Sequence, residues 1–323
     1  MTDQSASPTP WPTLPTEDWF DTIEAVHLWT QVVGKIRLGY SPWLNHSWSV
    51  PLYVSTKGLR TSLIPYGNDA VELEFDFIEH RLDIHTTAGE HRSIPLQGQS
   101  VADFYSAVLS AMESVGMPVT INPMPSEIPD AIRFDLDTQQ RNYEPGHAST
   151  LWRALLQIDR VLYRFRADFK GKASPVHFFW GSFDLATTRF SGRTAPAHPG
   201  GIPNFPDDVA QEAYSHEVTS VGFWPGNRAA PAPIFYSYAY PTPEKFSTAD
   251  VSPDAAFWLD DLGEFALPYD AVATAEDPDA LLLSFFESTH DAAAELAQWD
   301  RPSLECAHPE GPDWWHNRPH HSA

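Results

Sequence analysis

Two spacings of hydrophobic residues predict the helices and strands of this chain. Apolar residues three or four positions apart recur in four segments, as on one face of an α-helix. The predicted helices cover residues 17–38 with Thr16 as N-cap, the segment from the Ser100 cap to Gly116, residues 149–169, and the segment opened by Asp277 and Pro278.

Strict alternation of apolar and polar residues predicts the strands. Val71, Leu73 and Phe75 alternate with Glu72 and Glu74, a pattern typical of a half-buried antiparallel strand. Further strands are predicted over 47–54, 59–66, 81–86, 91–96, 176–180, 183–190 and 264–268. Together these elements predict an α+β fold with antiparallel sheets flanked by helices.

The order of the elements indicates a duplication, because each half begins with a helix, continues with strands and ends with a helix. We expect two pseudo-repeated α-β-sheet-α halves packed as one compact unit; chance similarity of two α+β segments is the alternative. The predicted divisions are a flexible tail at 1–15, a first half at 16–121, a linker at 122–147, a second half at 148–300 with a loop insertion at about 191–233, and a flexible tail at 301–323.

The composition is acidic and rich in proline. Lys and Arg total 20 against 43 Asp and Glu, a net charge of −23 over 323 residues, and 30 residues are proline. Such acidity argues against nucleic-acid and anionic-membrane partners, which attract basic proteins. No apolar run approaches the ~20 residues of a membrane span, and the single cysteine, Cys306, fits a reducing compartment. We therefore expect a cytoplasmic protein.

One window departs from this acidic background. Residues 164–206 contain six basic and two acidic residues, and a basic island in an acidic protein attracts small anions. Arg189 and Arg193 could hold a carboxylate or phosphate with their forked N–H donors. The alternative is that these charges only neutralise neighbouring acidic surface.

Three histidines in or beside this window supply candidate acid–base groups. His198 and His216 are the candidate catalytic residues, with Asp184 to orient one of them, and His177 is a candidate ligand contact. Histidines and carboxylates also bind metals, but these spacings match no metal motif, so metal content stays open. Each histidine could instead be a hydrogen-bonded structural residue.

Alternating tyrosines supply a candidate pocket wall. Tyr236 and Tyr238 lie on one face of a predicted strand, where their hydroxyl groups could line an amphipathic pocket; packing beneath proline-rich loops is the alternative. The sequence has no nucleotide-binding glycine motif and no Cys-based zinc site, so it identifies no cofactor.

Seven longer strings carry a family resemblance. They are HLWTQVVGKIRL (27–38), SVPLYVSTKGLRTS (49–62), ELEFDFIEHRL (72–82), KASPVHFFWGSFDLATTRFSGR (172–193), HPGGIPN (198–204), EAYSHEVTSVGFWPG (212–226) and GEFALPY (263–269). They resemble a bacterial family filed as domain of unknown function 5996, over roughly residues 11–300. The resemblance implies a bacterial origin and a single compact unit, and it implies no activity, cofactor or catalytic residue.

These observations favour an enzyme, or an enzyme-like protein, that acts on a small anionic metabolite near the 189–217 loops. One alternative is a non-catalytic small-molecule-binding protein, and another is a structural or interaction module without a ligand. The sequence leaves open whether the chain is catalytic at all and whether it forms a homo-oligomer.

Overall fold

The computed structural model describes residues 11–15 and 19–306. Its helices are α1 (Phe20–Tyr40), α2 (Val101–Ser114), α3 (Pro145–Ala167), α4 (Asp207–Ala213), α5 (Tyr269–Ala273), α6 (Pro278–Leu296) and α7 (Arg301–Leu304). Its strands are β1 (Tyr53–Val54), β2 (Gly58–Arg60), β3 (Ile64–Tyr66), β4 (Asp69–Asp76), β5 (Arg81–Thr86), β6 (His91–Pro95), β7 (His177–Phe179), β8 (Asp184–Thr194), β9 (His216–Trp224), β10 (Ile234–Tyr240), β11 (Phe257–Leu259) and β12 (Glu264–Pro268).

Two predicted helix starts are confirmed by their cap hydrogen bonds. The Ser100 hydroxyl accepts from the backbone N–H of Asp103 at 3.1 Å, and the Asp277 carboxylate accepts from that of Ala280 at 3.0 Å. Each bond satisfies one N–H that has no partner inside the helix. The predicted Thr16 cap lies outside the described residues.

The strands form two antiparallel sheets of six strands each, which confirms the α+β class. The first sheet has the order β1-β2-β4-β5-β6, with β3 also paired to β4, and the second has the order β11-β12-β10-β9-β8-β7. Reciprocal backbone hydrogen bonds of 2.9 Å between Leu52 and Phe178 join the sheets. Because the strand orders differ, the duplication stays a prediction.

Some strands begin or end at residues other than those predicted, because the backbone turns where the pattern of apolar residues continues. The strand expected over 47–54 opens with a 3-10 turn at Asn45–Ser47 and is reduced to β1. The strand expected over 59–66 is split into β2 and β3. The segment 122–147, expected to be a linker, lacks regular structure before α3, yet it buries Phe134 completely.

Both predicted tails include residues that pack on the fold. Trp11 and Leu14 are buried, and the Trp11 indole N–H donates to the Asp279 carboxylate at 3.1 Å. At the other end, α7 continues the folded part of the chain. The remaining tail residues, 1–10 and 307–323, lie outside the described part.

The two long helices α3 and α6 cover one face of the second sheet. α3 packs against β8, and α6 packs against β9 and β10, so the opposite face is left for the short helix α4 and the loops around it. Among residues 11–15 and 19–306, no helix has both the length and the apolar character needed to cross a membrane.

Candidate functional site

A cavity of about 210 Å³ lies on the face of the second sheet that is turned away from α3 and α6. Side chains at every second strand position form its floor, as the alternation of a β-strand requires. They are Asp184, Ala186, Thr188 and Phe190 of β8, Val218 and Ser220 of β9, and Tyr236 and Tyr238 of β10.

The cover of this Asp184 cavity comes from two distant parts of the chain. Ile202, Phe205 and Tyr214 reach over it from the loop around α4, and Trp48 reaches over it from the segment before β1. The Glu212 carboxylate ties the two parts together by accepting the backbone N–H of His46 at 2.7 and 2.9 Å. The cavity therefore lies where the loops of the 191–233 region cover the sheet.

Asp184 is a buried carboxyl group held by two hydroxyl donors. Ser182 donates to one oxygen and Tyr236 donates to the other. Burial raises the pKa of Asp184, and the two hydrogen bonds oppose that rise because they favour the charged form. The carboxyl group is thus fixed in position at one end of the cavity.

Glu127 brings a second carboxyl group to the same end. Burial, together with the nearby charge of Asp184, raises the pKa of Glu127 to about 7, and Lys35 opposes the rise. Within the described residues, no group donates a hydrogen bond to the Glu127 carboxyl group. Its oxygen lies so close to Gly181 that a Cβ at that position would overlap it.

The backbone around the cavity adopts a conformation that is rare outside glycine. His46, Ser47 and Glu127 all have positive φ, at 59°, 59° and 63°, and each lines the cavity. Left-handed backbone at such residues is unfavourable and is held in place by the surrounding structure. At Glu127 that support includes a 2.8 Å hydrogen bond from its N–H to the carbonyl oxygen of Pro203.

Lys35 provides positive charge behind Glu127. Its ammonium group donates to the Ser126 hydroxyl at 3.0 Å and lies 5.7 Å from the centre of the Trp180 ring. Burial lowers the pKa of Lys35 to about 8, and Glu127 opposes that change. With both carboxyl groups and Lys35 ionised, this end of the cavity carries one net negative charge.

A separate polar cluster lies at the far end, beside Phe190. Lys172 Nζ is 2.5 Å from His46 Nε2 and lies over the rings of Trp48 and Phe190. Burial lowers the pKa of His46, and the charge of Lys172 adds to that effect. Because neutral imidazole nitrogen accepts hydrogen bonds, Lys172 donates and His46 accepts.

Three predicted site residues line the cavity together: Asp184, Tyr236 and Tyr238. The Tyr238 hydroxyl lies 2.8 Å from that of Tyr214, so the tyrosines form a hydrogen-bonded wall beside the carboxyl groups. Asp184, expected to orient a histidine, accepts from Ser182 and Tyr236 instead.

The two predicted anion-binding arginines lie elsewhere. Arg189 is on the opposite face of β8, where its guanidinium lies 3.5 Å from the centre of the Phe165 ring and donates to the Phe165 carbonyl. Burial lowers its pKa to about 10. Arg193 pairs with Glu217 at 2.6 Å and donates to the carbonyl of Ala297 at the end of α6.

The three predicted histidines do not converge on one point. His177 is buried among the rings of Trp48, Tyr53 and Phe179, and burial lowers its pKa to about 3. His198 stacks on Tyr214 at 4.7 Å, behind the cavity wall.

His216 begins β9, and its ring centre lies 5.9 Å from that of His46. Glu217 points away from it to Arg193, as alternation along a strand requires. His216 therefore lies near the Lys172 end of the cavity without lining it.

The matches to known proteins agree with the sequence resemblance. A family model described as a family of unknown function, DUF5996, matches residues 11–306. The chain belongs to the DUF5996 family. No curated protein and no solved structure matches it. The DUF5996 match spans both sheets and every residue of the cavity described above.

This DUF5996 chain has its possible metal-ligand groups outside the cavity. In the described part of the chain, two groups of three His, Asp or Glu side chains have ligand atoms within 4.8 Å of one another. Neither contributes a residue to the cavity lining. The side chains that line the cavity supply carboxyl groups, hydroxyl groups, aromatic rings and the imidazole of His46.

Proposed function

We propose that this protein binds a small organic molecule in the Asp184 cavity and that Glu127 exchanges a proton with it. The observation that carries the proposal is that Asp184 and Glu127 place two carboxyl groups at one end of the cavity. Of the two, only Asp184 is held by hydroxyl donors. Different environments give two carboxyl groups different proton affinities. A pKa of about 7 suits Glu127 to act as an acid or a base at neutral pH.

The lining favours a ligand with hydrogen-bond donors at one end. No Lys or Arg occurs among the described residues that line the cavity, whereas two carboxyl groups and three tyrosines do. A protonated amine would pair with Asp184 and Glu127, and an apolar portion would pack against Trp48 and Phe190. About 210 Å³ is below the range of drug-sized pockets, which favours a small metabolite.

The small anion predicted from the 164–206 window stays an alternative. Its support in the structure is Lys172, whose ammonium group lies over two aromatic residues of the cavity wall. If an anion binds there, the protein is a binding protein in which Glu127 exchanges no proton with the ligand. The two proposals differ in which end of the cavity holds the charged group of the ligand.

Binding assays with matched probes distinguish these proposals. Thermal unfolding is followed with a panel of primary amines and with carboxylates of the same size. We expect amines to raise the melting temperature of the wild type and to have no effect on Asp184→Asn, while Glu244→Gln, an exposed control, behaves as the wild type. Stabilisation by carboxylates alone would refute the amine proposal and support the anion.

Calorimetry tests the role of Glu127 in proton exchange. An amine bound beside Glu127 favours its charged form, so binding near pH 7 should release protons. The heat of binding should therefore depend on the ionisation enthalpy of the buffer in the wild type and lose that dependence in Glu127→Gln. Equal buffer dependence in both proteins would show that Glu127 keeps its protonation state when the ligand binds, and it would refute the proposed role of Glu127 in proton exchange.

A further inference from the structure

A second cluster of polar side chains lies on the first sheet, away from the cavity. Asp83 and His85 are two residues apart on β5, and they therefore share a face. His91 of β6 is the direct cross-strand partner of His85. Ligand-capable atoms of all three side chains lie within 4.8 Å of one another.

The spacing between Asp83 and His91 already approaches that of two ligands on one metal ion. His91 Nε2 lies 3.1 Å from Asp83 Oδ1. Tetrahedral zinc with bonds of about 2.0–2.1 Å separates neighbouring ligand atoms by about 3.3 Å. A metal ion between these two atoms would replace the proton that they share and would displace the Ser93 hydroxyl, which donates to the same Asp83 oxygen and lies 3.2 Å from His91 Nε2.

His85 can complete the group from the solvent side. Its ring stacks on that of His91 at 4.4 Å with a 10° angle between the planes. Both histidines are exposed, whereas Asp83 is buried, so the carboxylate is the fixed point and the imidazoles can rotate. Glu72 is the cross-strand partner of His85 on the other side, which places a carboxylate next to the group, although Arg60 pairs with it at 3.8 Å.

Arg81 is the competing cation at this position. Its Nε lies 3.0 Å from both oxygens of Asp83. The same guanidinium lies 3.8 Å from Glu79 and 3.9 Å from Asp76, and its side chain is 36% exposed. Glu79 and Asp76 can therefore keep Arg81 when a metal ion occupies Asp83.

We propose that Asp83, His85 and His91 form a binding site for Zn²⁺ or a neighbouring late first-row divalent ion. Two imidazoles and one carboxylate are a ligand set that zinc uses, and imidazole favours zinc, copper and nickel over magnesium and calcium. The site has solvent access, so water supplies the remaining ligand. It joins β5 and β6 close to the turn between them and is independent of the cavity function.

Metal binding by the full chain tests the proposal. Protein freed of metal by chelation and dialysis is titrated with ZnCl₂ and, separately, with MgCl₂. His85→Asn/His91→Asn removes both imidazoles, and His320→Asn/His321→Asn removes two others as the matched control. We expect the first variant to lose one equivalent of bound Zn²⁺ and the control to retain it, with no binding of Mg²⁺ at this site.

A spectroscopic probe identifies the ligands directly. Co²⁺ should give visible absorption in the wild type, and this absorption should disappear in His85→Asn/His91→Asn. Asp83→Asn, which keeps the side-chain shape, should weaken Zn²⁺ binding by about tenfold or more. Unchanged stoichiometry, affinity and Co²⁺ spectrum in the His85→Asn/His91→Asn variant would overturn the proposal.

Discussion

Replacing Glu127 by Gln should make the protein more stable at alkaline pH and leave it nearly unchanged at acidic pH. The substitution keeps the size of the side chain and removes its ionisation. The effect depends on pH because the pKa of Glu127 is raised from 4.5 to about 7 in the folded protein. Burial and the charge of Asp184 cause this rise.

Whether Glu127 lowers the free energy of unfolding depends on which state of the protein, folded or unfolded, holds its proton. Below pH 4.5 Glu127 is protonated in both the folded and the unfolded protein, so it has no net effect. Between pH 4.5 and 7 the unfolded protein loses the proton first, and the free energy of unfolding falls as the pH rises. Above pH 7 both states are ionised, and the penalty reaches about 3 kcal/mol.

Urea unfolding at pH 5 and pH 8 measures this difference. Glu127→Gln should exceed the wild type by about 3 kcal/mol at pH 8 and by well under half of that at pH 5. Glu244→Gln, an exposed substitution, should follow the wild type at both values. An equal difference at the two pH values, or a loss of stability at pH 8, would show that the Glu127 carboxyl is not desolvated.

Two further pairs of substitutions test a hydrogen bond and a packing contact around the cavity by urea unfolding. Tyr236→Phe removes a hydrogen bond to a buried carboxylate and should cost about 1.5–3 kcal/mol, whereas Tyr238→Phe, whose partner is neutral, should cost about 1 kcal/mol. Gly34→Ala should cost about 1–3 kcal/mol because its Cβ would overlap the Trp180 ring. Gly39→Ala on the same helix is the control, since its Cβ would meet no atom within 4 Å and should not destabilise the protein. The opposite order within either pair would refute the corresponding contact.

Local patterns predicted the fold class and several element boundaries. β5 covers the segment predicted over 81–86, because its alternation is uninterrupted and a glycine turn follows it. The short helix α4 was missed. Its seven residues lie inside the segment that was predicted to be a loop insertion at about 191–233, and so short a helix depends on tertiary contacts for stability.

The candidate site was predicted only in part. Asp184, Tyr236 and Tyr238 were expected at a site and share the cavity. Glu127 was missed because it lies in a segment without periodicity, and only the three-dimensional path of that segment brings it to Asp184. The placement of Arg189 could have been foreseen, since five positions separate it from Asp184 and an odd separation puts two strand residues on opposite faces.

The segment around Glu127 contacts the loop that covers the cavity. Access to the cavity is therefore linked to the position of the Glu127 carboxyl group. The Glu127 N–H bonds to Pro203, and the Asn204 amide bonds to the Ile128 carbonyl at 2.9 Å; both partners belong to the covering loop. On the other side, the Ser126 N–H donates to Gln31 of α1 at 2.7 Å. An outward movement of the cover would break both loop contacts and leave the segment tied to α1 through Ser126, so we expect opening of the cover to displace the Glu127 carboxyl group.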